Sequence, residues 1–236
     1  GWTLDNHDPE AFHKKGRISV EYVAPKCYGI PFDCMYSINV PNLMFAGRDI
    51  SATHMALSST RVMATCALIG QAVGTAAAIG LENNILPADV RKDYISLLQS
   101  KLEDDDVMLP HRWRTPSSLT ISAKMSDSLQ VLRNGIDRKW DGVDNGIWVK
   151  PNSDAITYTW KKPVNLNGAR IIFDSNLKVK SKRMPKFEAL TERVKMPAMM
   201  AKSFRIEARV NGQWTTVYED ANNFLRLRKV FFNPVK

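Results

Sequence analysis

Cysteine, histidine and one isolated arginine are the residues in this 236-residue chain from which chemistry would have to come. Cys27, Cys34 and Cys66 show no Cys-x-x-Cys spacing, so neither a zinc site nor a redox pair is indicated. An iron–sulfur cluster takes four cysteines as a rule, and its ligands would have to lie outside this chain. His7, His13, His54 and His111 never pair at i, i+4, the spacing that puts two imidazoles on one helix face. His7 beside Asp5 and Asp8 has two readings, a metal chelate or a short polar loop, and no dedicated metal site is assigned. There is no Gly-x-Ser-x-Gly elbow, no phosphate-binding P-loop and no pair of catalytic carboxylates. Arg61 stands directly before a long apolar run, an unusual place for a charge.

The elements that must position these groups follow from period. Arg17 to Val23 alternates as a strand, with Ile18, Val20 and Tyr22 on one side. Asn42 to Gly47 is a short apolar run between a Pro-Asn turn and a glycine, the pattern of a fully buried strand. From Thr60 to Leu81 the small residues Cys66, Gly70, Gly74 and Ala78 recur at every fourth position and form one stripe along a helix. Glycine inside a helix costs about 0.5–1 kcal/mol relative to alanine, so the stripe implies a compensating close contact with a helix, a sheet or a flat cofactor. The uncharged run Val62 to Leu81 has the crude length of a membrane span, but its Ala, Gly and Thr content and Gln71 favour a buried helix of a soluble protein. A second helix is predicted from Pro87 to Leu102, with Pro87 in its first turn and Val90, Tyr94, Leu97, Leu98 and Leu102 on its apolar face.

After the acidic stop Glu103 to Asp106 the period changes. Ser118–Lys124, Ala155–Trp160, Ala169–Ser175, Ser203–Val210, Gln213–Tyr218 and Leu225–Phe232 read as short strands. Asn211-Gly212 is the strongest hairpin signal, because a two-residue type I′ turn needs positive φ at both positions; Asn167-Gly168 is a weaker turn signal. Strands without an intervening helical pattern point to a β-sandwich, and Leu177 to Lys202 reads as an excursion across one edge. The domains expected are therefore 1–110 and 111–236. Charge divides in the same place: residues 1–110 hold 9 Lys and Arg against 13 Asp and Glu, whereas 111–236 hold 24 against 11. The overall charge of +9 does not indicate nucleic acid, since the densest basic run, Lys178 to Arg183, lacks interleaved aromatics. With 44% hydrophobic and 24% charged residues, the chain is globular rather than disordered.

The block Asn42-Leu-Met-Phe-Ala-Gly-Arg-Asp-Ile-Ser-Ala-Thr-His54, with Ala56 to Cys66, Gly70 to Ala78 and Tyr28-Gly-Ile-Pro-Phe32, carries a family resemblance. It resembles the C-terminal flavin-contacting segment of FAD-dependent oxidoreductases related to the heterodisulfide reductase flavoprotein subunit, over most of residues 1–105. The resemblance implies that Gly47, Arg48, Asp49 and the helix start at Met63, Ala64 and Thr65 face the flavin of FAD. An acidic residue usually follows the glycine in the wider fold; here Arg48 does, and the ribityl contact stays open between Arg48 and Asp49. On the substrate side, Arg61 either stabilises charge or forms a structural ion pair, and His54 is either an acid/base or a hydrogen-bonded structural group. No Gly-x-Gly occurs, so the fingerprint that cradles the pyrophosphate is missing. The expectation is a C-terminal portion of a longer flavoprotein, inactive alone and needing an N-terminal segment for FAD.

The second domain resembles a galactose-binding-like jelly-roll sandwich of the discoidin or coagulation factor type C kind. Asn134-Gly-Ile-Asp-Arg138, Trp140, Asn145-Gly-Ile-Trp148, Pro163-Val164, Arg170 to Ser175 and Phe204-Arg-Ile-Glu-Ala208 with Trp214 carry that likeness. It implies glycan contact through exposed indoles, with Trp113, Trp140 and Trp148 as candidates; Trp140 and Trp148 also have a reading as sandwich core. Asp137, Asp141 and Asp144 read as a calcium site or an acidic turn. The fold class expected is thus an α/β flavoprotein fragment, a buried strand plus Ala/Gly-rich helices, followed by an all-β sandwich. The activity expected is oxidoreduction of a small-molecule or saccharide substrate, the rivals being a carbohydrate-binding module and an electron-transfer subunit. A glycan-binding sandwich on an enzyme leans towards the periplasm or exterior of a bacterium.

Overall fold

The computed structural model describes residues 2–23, 25–151, 154–175, 196–197 and 199–236. The chain divides into two compact units, Gly1–Pro116 with Asn134–Ile136, and Ser117–Arg133 with Asp137–Lys236.

The first unit opens with two antiparallel strands, β1 (Leu4–His7) and β2 (Ser19–Tyr22), in the register Leu4 to Tyr22 and His7 to Ser19. The alternation in Arg17 to Val23 marks a strand, but Ile18, Val20 and Tyr22 are exposed rather than turned into a core. Helices follow: α1 (His54–Thr60), α2 (Met63–Asn83), α3 (Pro87–Asp93) and α4 (Ile95–Asp104). Their core joins Ile69, Ala76 and Ile79 of α2 to Val90 of α3 and to Leu98 and Leu102 of α4, with Phe32, Met35 and Ile50 closing one end.

α2 ends where Asn84 takes the left-handed conformation, φ 52°, and the Ile85 amide donates to Gly80 O at 2.9 Å. A Cβ on Gly80 would meet Ile85 O at 3.0 Å, so glycine suits this close return of the chain. The single helix expected from Pro87 to Leu102 is broken at Tyr94, φ −121° and ψ 10°. Val90 and Leu98 both bury in one core against α2, while Tyr94 packs at its edge. Asp33 Oδ2 accepts from Arg91 Nε at 2.7 Å, tying the turn Phe32–Met35 to α3; this bond holds the Asp33 carboxyl below its usual range.

Two expectations for this unit are corrected. Asn42–Gly47 is not a buried strand: it makes one bridge, Met44 to Tyr36, and Asn42, Leu43 and Ala46 are exposed. Its apolar side chains have one partner segment, joined by Ser37 N to Leu43 O at 3.0 Å and Phe45 N to Met35 O at 2.8 Å, and no full sheet. Nor does a helix or a sheet pack closely on Gly70 and Gly74 of the α2 stripe, since nothing among the described residues lies within 4 Å of a Cβ built on either; of the contacts expected there, the flat cofactor is the one left. α2 is also not buried all round: Met63, Leu68 and Leu81 are exposed. By length and composition alone it is the one described helix apolar enough to cross a membrane, a test that soluble core helices also pass.

The second unit is strand-rich, with two antiparallel ribbons. β3 (Leu166–Ile172) pairs with β6 (Leu227–Val235), and β4 (Phe204–Val210) pairs with β5 (Gln213–Asp220). The β4–β5 turn has φ 49° at Asn211 and 83° at Gly212, as the Asn-Gly pair predicts. Asn167-Gly168 is not a turn; it lies inside β3 at a register shift between Leu166 and Gly168. Phe204 lies 5.1 Å from the Phe173 ring and 5.8 Å from Tyr218, and Arg228 sits 6.0 Å above it, so one aromatic ring links residues of both ribbons. Arg228 Nη2 donates to Asp220 Oδ2 at 2.7 Å and to Tyr218 Oη at 2.6 Å, fastening β6 to β5.

Two expected strands are absent here. Ser118–Ser122 forms α5 because Ser117 Oγ accepts from Thr120 N at 3.1 Å, and a local cap outweighs the β-branched composition. Arg133 Nη1 donates to the carbonyls of Thr120, Ile121 and Ala123, satisfying the far end of that turn. Ala155–Trp160 is extended but makes one bridge, Lys124 to Thr159, with Trp160 Nε1 donating to Leu119 O at 3.0 Å. The excursion predicted from Leu177 to Lys202 and the basic run Lys178 to Arg183 lie largely outside the described residues.

Two substitutions check these contacts. Ile79→Ala, at a fully buried site between α2 and its neighbours, should cost about 2–5 kcal/mol in denaturant unfolding of the first unit. Gly168→Ala should destabilise the second unit, because its Cβ would fall 2.6 Å from Val230 O; an unchanged melting temperature for that unit would contradict the geometry.

Candidate functional site

Arg48, Arg61 and the start of α2 meet where α1 ends, His54 stands at the other end of α1, and β1 contacts both ends of that helix. α1 begins at Thr53, whose Oγ1 accepts from Ala56 N at 3.2 Å. This cap sets His54 in the first turn, and seven residues later Arg61 closes the helix with its N–H on Leu57 O at 3.0 Å. The next residue, Val62, is already the N-cap of α2 and offers no side-chain bond to the amides behind it. Arg48 spans back to this junction, Nε donating to Arg61 O at 3.1 Å.

β1 is held to α1 by three polar contacts across more than 45 residues of sequence. Arg61 Nη2 donates to Asp5 Oδ2 at 2.8 Å, His54 Nε2 lies 2.6 Å from His7 O, and Ser59 Oγ donates to Trp2 O at 2.9 Å. Ser59 has one proton and spends it on Trp2 O, so Tyr28 Oη, 2.7 Å away, is the donor to Ser59. Asp5 Oδ2 also receives His7 Nε2 at 3.0 Å. Asp8 pairs with Lys14 Nζ and accepts Glu10 N at 3.0 Å; chiefly through the Lys14 bond its carboxyl lies below the usual range.

The polar segment around His7 is therefore a docked strand rather than a loop, and its carboxylates are committed to Arg61, His7 and Lys14. Among the described residues no group of three or more His, Cys, Asp or Glu is placed to hold a metal. Arg61 does form an ion pair, with side-chain exposure of 34% against 26% for Asp5, so the pair is partly open to solvent. Sequence reasoning missed the partnership of Asp5, His7, Tyr28 and Ser59 with this site, because no local signal links residues so far apart.

Gly47 has φ +134°, with Asp49 Oδ1 3.5 Å from the position of a Cβ, and it leads into Arg48. Met63 is 85% exposed and Ala64 is exposed, leaving the first amides of α2 open. Thr60, 6% exposed at the same junction, has a hydroxyl without a partner among the described residues. An uncapped 21-residue helix, a glycine turn and an orphaned hydroxyl suit the polar edge of a flavin, which accepts hydrogen bonds. They fit one end of FAD; the chain holds no Gly-x-Gly for the pyrophosphate.

Comparison with known proteins agrees with this fit. Residues 1–102 match the family of FAD dependent oxidoreductases. No curated protein and no solved structure matches the chain. The family match supports an FAD-linked oxidoreductase reading for the first unit, in which Gly47, Arg48, His54, Arg61 and the start of α2 all lie.

The indoles are distributed differently. Trp113 stands in the first unit at 37% exposure. In the second, Trp140 is half-buried and bridges to Val143, whereas Trp148 is 65% exposed, against the reading of Trp148 as core. Asp137 is committed to Arg170 Nη1 at 2.8 Å, which weakens the calcium reading at that turn.

Ser59 is the test of this docking. Ser59→Ala removes the acceptor of Tyr28 and the donor to Trp2 O at a buried position, and should cost about 1–3 kcal/mol locally. Amide exchange at Leu4–His7 should accelerate while the α2–α4 core stays protected.

Proposed function

We propose that the chain is the flavin-contacting and substrate-facing part of an FAD-dependent oxidoreductase acting on a hydroxylated organic substrate, a saccharide in particular. The observation carrying this reading is the meeting of Arg61 and Arg48 beside the open N-terminus of α2, with His54 held by β1 at the other end of α1, inside the segment that matches the family. Gly47, Arg48 and Asp49 would hold the ribityl side of the cofactor, and the amides of Met63, Ala64 and Thr65 its pyrimidine edge. When bound, the flavin supplies two-electron oxidation, taking up the hydrogen and electron pair of a substrate C–H bond. Arg61 orients the substrate and offsets developing negative charge on its oxygen, since its guanidinium is only partly shielded. His54, exposed at the start of α1, takes the hydroxyl proton. The rest of the dinucleotide needs a Gly-rich cradle supplied by another segment.

The saccharide part of the reading rests on the second unit. Its two antiparallel ribbons joined by an aromatic seam are in keeping with a galactose-binding-like jelly roll. Exposed Trp148 and half-buried Trp140 of that unit would supply the stacking surface for a sugar ring.

Arg61→Ala in the full-length, FAD-loaded protein decides the matter. Flavin bleaching by sugar substrates should slow on the order of 10- to 100-fold while the bound flavin spectrum persists. Bleaching at the wild-type rate would overturn the role of Arg61, and a wild-type protein that takes up no FAD would overturn the oxidoreductase reading.

A further inference from the structure

We propose that Asp5 is the positioning residue of Arg61 and His7, and that Asp5 and the His7 carbonyl together set a matched pair of imidazoles, His7 and His54, each presenting Nδ1 as its proton-accepting atom. The proposal rests on the substrate-facing reading of Arg61 and His54 and adds Asp5 and His7 to it. One oxygen, Asp5 Oδ2, receives both Arg61 Nη2 at 2.8 Å and His7 Nε2 at 3.0 Å. An ionised carboxylate only accepts, so His7 carries its proton on Nε2. The next contact is made by the backbone of the same residue: His7 O lies 2.6 Å from His54 Nε2. A carbonyl also only accepts, so His54 carries its proton on Nε2 as well.

The neutral tautomer of both rings is thereby set, and Nδ1 is the atom left with a free lone pair. Asp5 stands at the centre of the arrangement because β1 presents its side chain and the His7 carbonyl to the same helix, α1 with its cap Arg61. Losing the carboxylate would release the guanidinium and the His7 ring together. In the proposed reaction the substrate hydroxyl proton would pass to His54 Nδ1, and a bound flavin would supply the oxidant that takes the C–H hydrogen with its electron pair, leaving a carbonyl. Asp5 touches neither substrate nor flavin in this scheme; it acts through Arg61 and His7.

The first experiment is long-range ¹H–¹⁵N NMR of the histidine ring nitrogens in the chain, followed through a pH series into the alkaline range. The expected pattern is the Nε2–H tautomer at both His7 and His54. An Nδ1–H tautomer at either ring would overturn the proposal, and this measurement needs neither flavin nor a variant. The second is Asp5→Asn in the FAD-loaded full-length protein, with Asp5→Glu as the conservative control. Flavin reduction should fall about 10-fold at unchanged FAD affinity with the α2–α4 core still protected from amide exchange, His7 should lose its single tautomer, and Asp5→Glu should restore much of the reduction rate and the tautomer. Wild-type reduction and a wild-type His7 signal in Asp5→Asn would sink the positioning role. The two readings fail separately: a wild-type protein that takes up no FAD removes the functional reading, whereas the ring tautomers alone decide the geometry of the histidine pair.

Discussion

The docking of β1 onto α1 is the interaction on which the organisation of the first unit's polar end depends. β1 and β2 form an isolated two-stranded ribbon with exposed side chains, too little apolar surface to be stable without support. What fastens it is polar: the Asp5–Arg61 pair, the His54 contact to His7 O, and the buried chain from Tyr28 through Ser59 to Trp2 O. Each of these bonds is worth little in water, but several act on one short strand and share residues, so the strand has one seat rather than many. The same bonds determine which way Arg61 and His54 point. Stability of the ribbon and orientation of the candidate chemistry are therefore one property.

α2 shows a division of labour along one helix. Ile69, Ala76 and Ile79 bury against α3 and α4 and supply the apolar free energy, while the N-terminal turn stays open, without a side-chain cap. Unsatisfied amides at a helix start are tolerated in water and favourable beside an anion or a polar ligand. The stripe of Gly70 and Gly74 is open in the same way, with no described atom close to either position. The packed face of α2 thus belongs to the core, and its small-residue face carries the conformational cost of glycine without a described partner to offset it.

In the second unit, charge does structural work that composition alone presents as a basic excess. Arg228 bonds Asp220 and Tyr218 under the Phe204 ring, Arg170 bonds Asp137, and Arg226 donates to Asp137 O and to Phe173 O at 3.1 Å. Arg133 satisfies three carbonyls of the α5 turn. Four of the basic residues of this unit are therefore spent on holding ribbons and turns together. A net positive count is a weak guide to a nucleic-acid partner when so many of the arginines are donors to their own backbone.

Local rules carried far in this protein. The Asn211-Gly212 hairpin, the α2 helix, the four strands of the two ribbons and the likeness of residues 1–102 to FAD dependent oxidoreductases were all legible, because each depends on a short pattern of residue types. Where competing local signals were close in energy, the pattern misled: Ser117 capped a helix over a β-branched stretch, Tyr94 broke a continuous helix, and Asn167-Gly168 served a bulge instead of a turn. The apolar run ending at Gly47 read as a buried strand, but burial needs sheet neighbours, and one bridge to Tyr36 does not make them. For the candidate site, the residue types at His54 and Arg61 were visible in the linear chain and their partners were not. Asp5 finds Arg61 across 56 positions, and Ser59 finds Trp2 across 57. Pairings of that separation have no periodic trace in sequence, because they are settled by where whole elements come to rest and not by the preferences of the residues that finally touch.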